Sequence, residues 1–116
     1  RKYLYCENGF VEKPQWMPNC WVNVECPDKS DFDFLTKDLK VPEFFSEDIA
    51  DVDERPRTDT EENWLLTIIR IPLQQQGSIP YTTIPIGIIT NNEIIVTICY
   101  HSTEMIPDFI DHTRRK

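Results

Sequence analysis

Glu47 and Asp48 stand side by side, and Asp51 follows one helical turn later. Carboxylates in this pattern offer oxygen ligands only, which suits hard divalent cations. Mg2+ in particular is usually held through one or two carboxylates while it keeps several waters. The surrounding window Glu43–Asn63 holds nine acids against two bases, a net of −7 out of a formal −8 for all 116 residues. Like charge packed this densely repels itself, and solvation, salt or a bound cation relieves the repulsion. The plainer alternative is a solvated helix face, since charge runs commonly just meet water.

A helix must carry these acids. Val41, Phe45, Ile49 and Val52 recur at i, i+4, i+8 and i+11, the spacing of one buried helical face, while Glu43, Glu47 and Asp51 run at i+4 spacing on the other side. Pro42 suits the first helical position, where a missing N–H costs nothing. Pro56 biases Arg55 away from helical backbone, so the helix is expected to stop by about Asp53.

Length and composition bound the rest. A chain of 116 residues with 40% apolar and 28% charged residues fits one globular domain, residues 1–116, able to bury a core without disulfides. The acidic balance argues against nucleic acid and anionic membrane surfaces as partners, because both call for a basic patch. Cys6, Cys20, Cys26 and Cys99 lack zinc-site spacing and read as free thiols of a reducing compartment. The longest apolar runs, such as Ile84–Ile89, are too short to span a bilayer. The start at Arg1 without methionine and the end at Arg114-Arg115-Lys116 suggest a piece of a longer chain.

Taken in order, Lys2–Cys6 and Phe10–Glu12 flank Asn8-Gly9, a hairpin signal. Cys20–Val24 reads as a strand. Asp28 is the expected N-cap of a helix whose core face is Phe32, Leu35 and Leu39. After the acidic helix, Thr58–Thr60 is a short polar strand. Trp64–Ile71, apolar on both faces apart from Thr67 and Arg70, is expected to be a central strand covered on both sides. Gln74–Ser78 is a loop, Thr82–Thr90 and Ile94–Tyr100 form a hairpin about Asn91-Asn92, and a last helix begins at Ser102. Strands and helices in this order predict an α/β fold: a mixed β-sheet layered with helices.

Enzyme chemistry finds little support. Only three glycines are present and no phosphate-loop pattern among them. No serine sits in a nucleophile elbow, and His101 and His112 have no Ser or Cys partner at a recognisable spacing.

Several segments together resemble the cytoplasmic N-terminal domain of the CorA family of Mg2+ transporters. They are Cys20-Trp21-Val22-Asn23-Val24, Glu47-Asp48-Ile49 followed by Arg55-Pro56-Arg57, Asn63-Trp64-Leu65-Leu66-Thr67-Ile68-Ile69-Arg70, and Asn92-Glu93-Ile94-Ile95-Val96-Thr97. The family shows a Trp-Ile-x-Ile strand, a helix ending in Leu-Glu-Asp-Ile-Leu, and an Arg-Pro-Lys turn, and the similarity covers about residues 19–112 in the right order. Ser46 and Ala50 stand where the family commonly has leucine, and Arg57 replaces lysine. The stalk helix, two transmembrane helices and Gly-Met-Asn pore tripeptide are not within these residues.

The resemblance implies a homopentamer on the inner side of a cell membrane, not an enzyme, whose cytoplasmic domains bind regulatory Mg2+ between subunits. The metal-binding residues would be Glu47 and Asp48, with Asp51 near them, completed by acids of an adjacent stalk. Mg2+, Co2+, Ni2+ and Zn2+ all remain open as the transported ion. The competing reading from another class is an acidic protein-interaction module with no metal role.

Overall fold

The computed structural model describes residues 1–6, 9–51, 53–73 and 82–101. Its framework is a seven-stranded sheet of β1 (Lys2–Cys6), β2 (Phe10–Lys13), β3 (Trp21–Glu25), β4 (Arg57–Glu61), β5 (Trp64–Leu73), β6 (Thr82–Thr90) and β7 (Ile95–Cys99). The strands lie in the order β2-β1-β3-β7-β6-β5-β4. β3 and β7 run parallel, with Trp21 opposite Ile95 and Val24 opposite Ile98, and every other pair is antiparallel. The expected mixed sheet is therefore present. Its parallel pair is joined through everything between residues 25 and 95, because parallel neighbours need a long crossover.

That crossover begins with the helices. Asp28 caps α1 (Lys29–Asp33) in a reciprocal arrangement: its Oδ1 accepts from the Asp31 N–H at 2.9 Å, and Asp31 Oδ2 accepts from the Asp28 N–H at 3.0 Å. The Asp31 N–H, chiefly, holds the Asp28 carboxyl below its ordinary range. The chain then widens into a π-helical turn, Phe34–Asp38, in which the Leu39 N–H reaches back to Phe34 O at 3.1 Å. This extra residue per turn rotates the buried face. Phe34, Leu35 and Leu39 enter the core, whereas Phe32, expected there from regular spacing, is only half-buried. Lys40, at φ 63°, turns the chain out of this segment, and α2 follows over Glu43–Ala50.

α2 differs from expectation at its start and ends, as expected, before Asp53. Pro42 is its N-cap rather than its first helical residue, with ψ 130°. At the other end Asp51 adopts ψ 110° and its Oδ1 accepts the Asp53 N–H at 2.9 Å, so the helix stops at Ala50. An aspartate side chain that captures a backbone N–H two residues on competes with helix propagation. Val41, Phe45 and Ile49 are buried as the spacing predicts; Val52, the fourth of that set, lies outside the described residues.

The π-helical turn and α2 share one core with one face of the sheet, made by Val22, Val24, Leu66, Ile68, Ile89, Val96 and Ile98 together with Phe34, Leu35, Phe45 and Ile49. Fully burying side chains of this size is worth about 1.5–3 kcal/mol each, so this layer holds the domain together. The opposite face carries Leu65, Ile69 and Ile95, exposed by 38%, 40% and 47%. β5 lies one strand in from the edge rather than at the middle of the sheet; Leu66 and Ile68 are buried on its helix side, and on its other face Ile71 is buried with Ile84, Ile86 and Cys99 while Leu65 and Ile69 stay exposed. The middle of the sheet is β7, where Thr97 accepts the Trp21 indole N–H at 2.8 Å and donates to Asn23 Oδ1 at 2.7 Å, which accounts for buried polar side chains on this face.

The N-terminal hairpin pairs Cys6 with Phe10, and Asn91 Oδ1 accepts the Glu93 and Ile94 N–H groups to make the loop from β6 to β7. Gln74–Ser78 and the last helix expected from Ser102 lie outside the described residues. No helix among the described residues is long and apolar enough to cross a membrane. The four cysteines are free, Cys6 and Cys26 exposed, Cys20 and Cys99 buried.

Candidate cation site on the acidic helix

The position of α2 is set by a close approach to the sheet. Gly87 on β6 lies under Ile49, and a Cβ at residue 87 would sit 2.5 Å from Ile49 Cγ1 and closer still to Cδ1. With Ile49 1% exposed, this contact seats the helix and turns Glu43, Glu47 and Ala50 outward.

Glu47, Asp48 and Asp51 crowd the last turn of α2, where the unsatisfied carbonyls add negative partial charge and the turn itself contains no basic residue. Their side chains take different surroundings. Glu47 is exposed and lines a cavity next to Tyr100. Burial first, and the Glu47 carboxylate second, push the Tyr100 hydroxyl above its ordinary range. Asp48 is half-buried and accepts from Arg57 Nη2. Asp51 is exposed and bonded to its own loop.

Arg57 is the residue that sequence reasoning missed as a site component. Its Nε donates to Glu54 at 3.1 Å and its Nη1 to Asp59 at 3.0 Å, in addition to Asp48. Glu54 foremost, then Asp59 and Asp48, raise the guanidinium above its ordinary range, so it stays a fixed positive charge. The signal available in the sequence was an arginine with acids at i−3 and i+2. Arg70, on β5, donates through Nη1 to Glu54 O at 2.9 Å and so ties the segment after α2 to the sheet.

Among the described residues no three carboxylate, His or Cys groups converge on a point where a metal ion would be held. Glu47 is free to supply an oxygen; Asp48 supplies one only in exchange for Arg57; Asp51 faces away into its turn. The donor chemistry fits a hydrated Mg2+, which takes few protein ligands, and the geometry is that of a partial site.

A mixed seven-stranded sheet, with the described helices packed on one of its faces and an acidic last turn on α2, defines an α/β domain. Residues 18–116 match the family described as CorA-like Mg2+ transporter protein, and the chain belongs to that family. Among solved structures, the complete CorA magnesium transporter from Methanocaldococcus jannaschii is similar at a TM-score of 0.78 and 18% identity, over 99% of this chain and 37% of that one. The soluble domain of CorA from the same organism matches at 0.69 and 23% identity, over 84% of this chain and 38% of that chain. The ZntB cytoplasmic domain from Vibrio parahaemolyticus matches at 0.75 and 13% identity, over 99% of this chain and 49% of that one. At these identities the likeness is one of fold, and the chain spans less than half the length of each. No curated protein matches the sequence significantly.

Proposed function

We propose that this domain is the cytoplasmic regulatory part of a divalent-cation transporter, in which Glu47 and Asp48 bind Mg2+ together with acids from a neighbouring subunit of a homopentamer. The observation that carries this reading is the last turn of α2: a cluster of acids at the negative end of a helix, with Glu47 exposed and without an ion pair or hydrogen bond among the described residues. A bound ion supplies positive charge there. Glu47 presents an oxygen outward at the surface, and Asp48 is held in reserve by Arg57.

Carboxylates that repel one another across a subunit boundary favour separation. Neutralising them favours the closed assembly, so the occupancy of these acids biases a closed–open equilibrium by the difference in affinity between the two states. The stalk and transmembrane helices of such a transporter would lie outside residues 1–116.

The test is made on the assembled full-length protein. Replacing Glu47 by Gln and Asp48 by Asn together is expected to leave the fold intact, since neither side chain enters the core, and to weaken protection by Mg2+ against limited proteolysis. Unchanged protection across a Mg2+ titration removes both residues from the sensing site and leaves the acidic interaction module as the reading of this face.

A further inference from the structure

A cavity of about 500 Å³ opens between the first helical segment and α2, beside Glu47 but formed within this chain alone. Its walls include Phe32, Thr36, Ser46, Ala50 and Tyr100. Ser46 and Ala50, one helical turn apart, give α2 two small side chains on this side, and the space opens beside them.

Three properties say what would fit it. The first is charge: Asp33, Glu43 and Glu47 also line the cavity, and only Asp33 has a cation nearby among the described residues, Lys37 at 3.7 Å. The second is the aromatic wall, where the Phe32 and Tyr100 rings lie 6.3 Å apart, tilted by 35°. The Tyr100 hydroxyl is already committed to Ser46 O at 3.0 Å, which leaves the ring as its contribution. The third is Ser46 itself, only 4% exposed, whose hydroxyl oxygen has no hydrogen-bond partner among the described residues. A buried hydroxyl left in this way is costly, and a donor that reaches it removes the cost.

We propose that this cavity binds a small organic ammonium ion, a primary amine with a short apolar body. Its N–H groups would meet Ser46 Oγ and the carboxylates of Glu43 and Glu47, and its hydrocarbon would lie against Phe32, Ala50 and Tyr100. A cation beside an aromatic face gains from the ring quadrupole. A hydrated metal ion would gain nothing from these apolar walls, which separates this site from the Mg2+ reading even though Glu47 borders both.

The chain is titrated with n-butylammonium and followed by amide chemical shifts, with butyrate and tetramethylammonium as probes at the same ionic strength. The expected result is saturable shifts at Phe32, Ser46 and Tyr100 with butylammonium alone. Ser46→Ala is expected to weaken binding about tenfold, the worth of one charge-assisted hydrogen bond. Ala50→Leu, which fills the cavity with a bulky apolar side chain, is expected to abolish binding while leaving the shifts of β3 and β7 in place. If Ala50→Leu does not fold, Ala50→Val fills part of the same space and is read the same way. Non-saturable shifts, an equal response to butyrate or tetramethylammonium, or unchanged binding in the filled variant would overturn the proposal. Glu47 is left intact in every variant, so a failure of amine binding is distinct from a failure of the Mg2+ site.

Discussion

Arg57 donates to three carboxylates drawn from α2, the segment after it and β4, and thereby sets how much of the local negative charge is open to a cation. The arginine neutralises one of the three acids it touches and screens the others. Its side chain is 32% exposed, and those of Asp48, Glu54 and Asp59 are 30%, 21% and 39% exposed, so water weakens each pair without abolishing it. Arg57→Gln should therefore cost about 1 kcal/mol of stability as a small partly exposed network, read as a lower urea midpoint. The same change should strengthen Mg2+ binding in the assembled protein, because Asp48 no longer has a competing partner. Weaker Mg2+ binding in Arg57→Gln would mean that the arginine positions Asp48 for the ion rather than withholding it.

At the scale of elements, the sequence disclosed strand and helix positions where a side-chain pattern has one physical cause. The Asp28 cap, the buried spacing of Val41, Phe45 and Ile49, and the Asn91 turn are local and were legible. The π-helical turn was not, since widening by one residue leaves no mark on composition, and it moved Phe34 into the place expected for Phe32. The rank of β5 within the sheet was also hidden, because strand order depends on pairing partners that a run of apolar residues does not name. In the same way the carboxylates of the site could be named from the sequence, while their separate orientations depend on where α2 ends.

Gly87 is the element-scale feature that decides the seating of α2. Gly87→Ala would drive a methyl group into the Ile49 side chain, which is itself fully enclosed, and overpacking of this kind costs about 1–3 kcal/mol. Ile49→Val shortens the obstructing side chain, so the pair Gly87→Ala with Ile49→Val should recover part of the loss measured for Gly87→Ala alone. Additive losses in the two single variants and the pair would show that the glycine and the helix are not in direct contact.

For the whole molecule the governing quantity is the distribution of charge, with a net of −7 of the total −8 falling within Glu43–Asn63. Self-repulsion in the folded state is screened by salt, with a Debye length near 10 Å at about 0.1 M, so raising NaCl from low to physiological ionic strength should raise the thermal midpoint. Mg2+ should do more than an equal ionic strength of NaCl if Glu47 binds it, since a ligand of the folded state adds RT ln(1 + [L]/Kd). With an affinity on the order of 1 mM, as expected for so few charged ligands, about 10 mM Mg2+ would contribute about 1.4 kcal/mol, or several degrees for a domain of this size. The variant Glu47→Gln with Asp48→Asn should keep the response to NaCl while losing the increment specific to Mg2+. Identical midpoints in Mg2+ and Na+ at matched ionic strength, in the unaltered chain, would assign the whole effect to screening and show that the isolated domain holds too little of the site to register the ion.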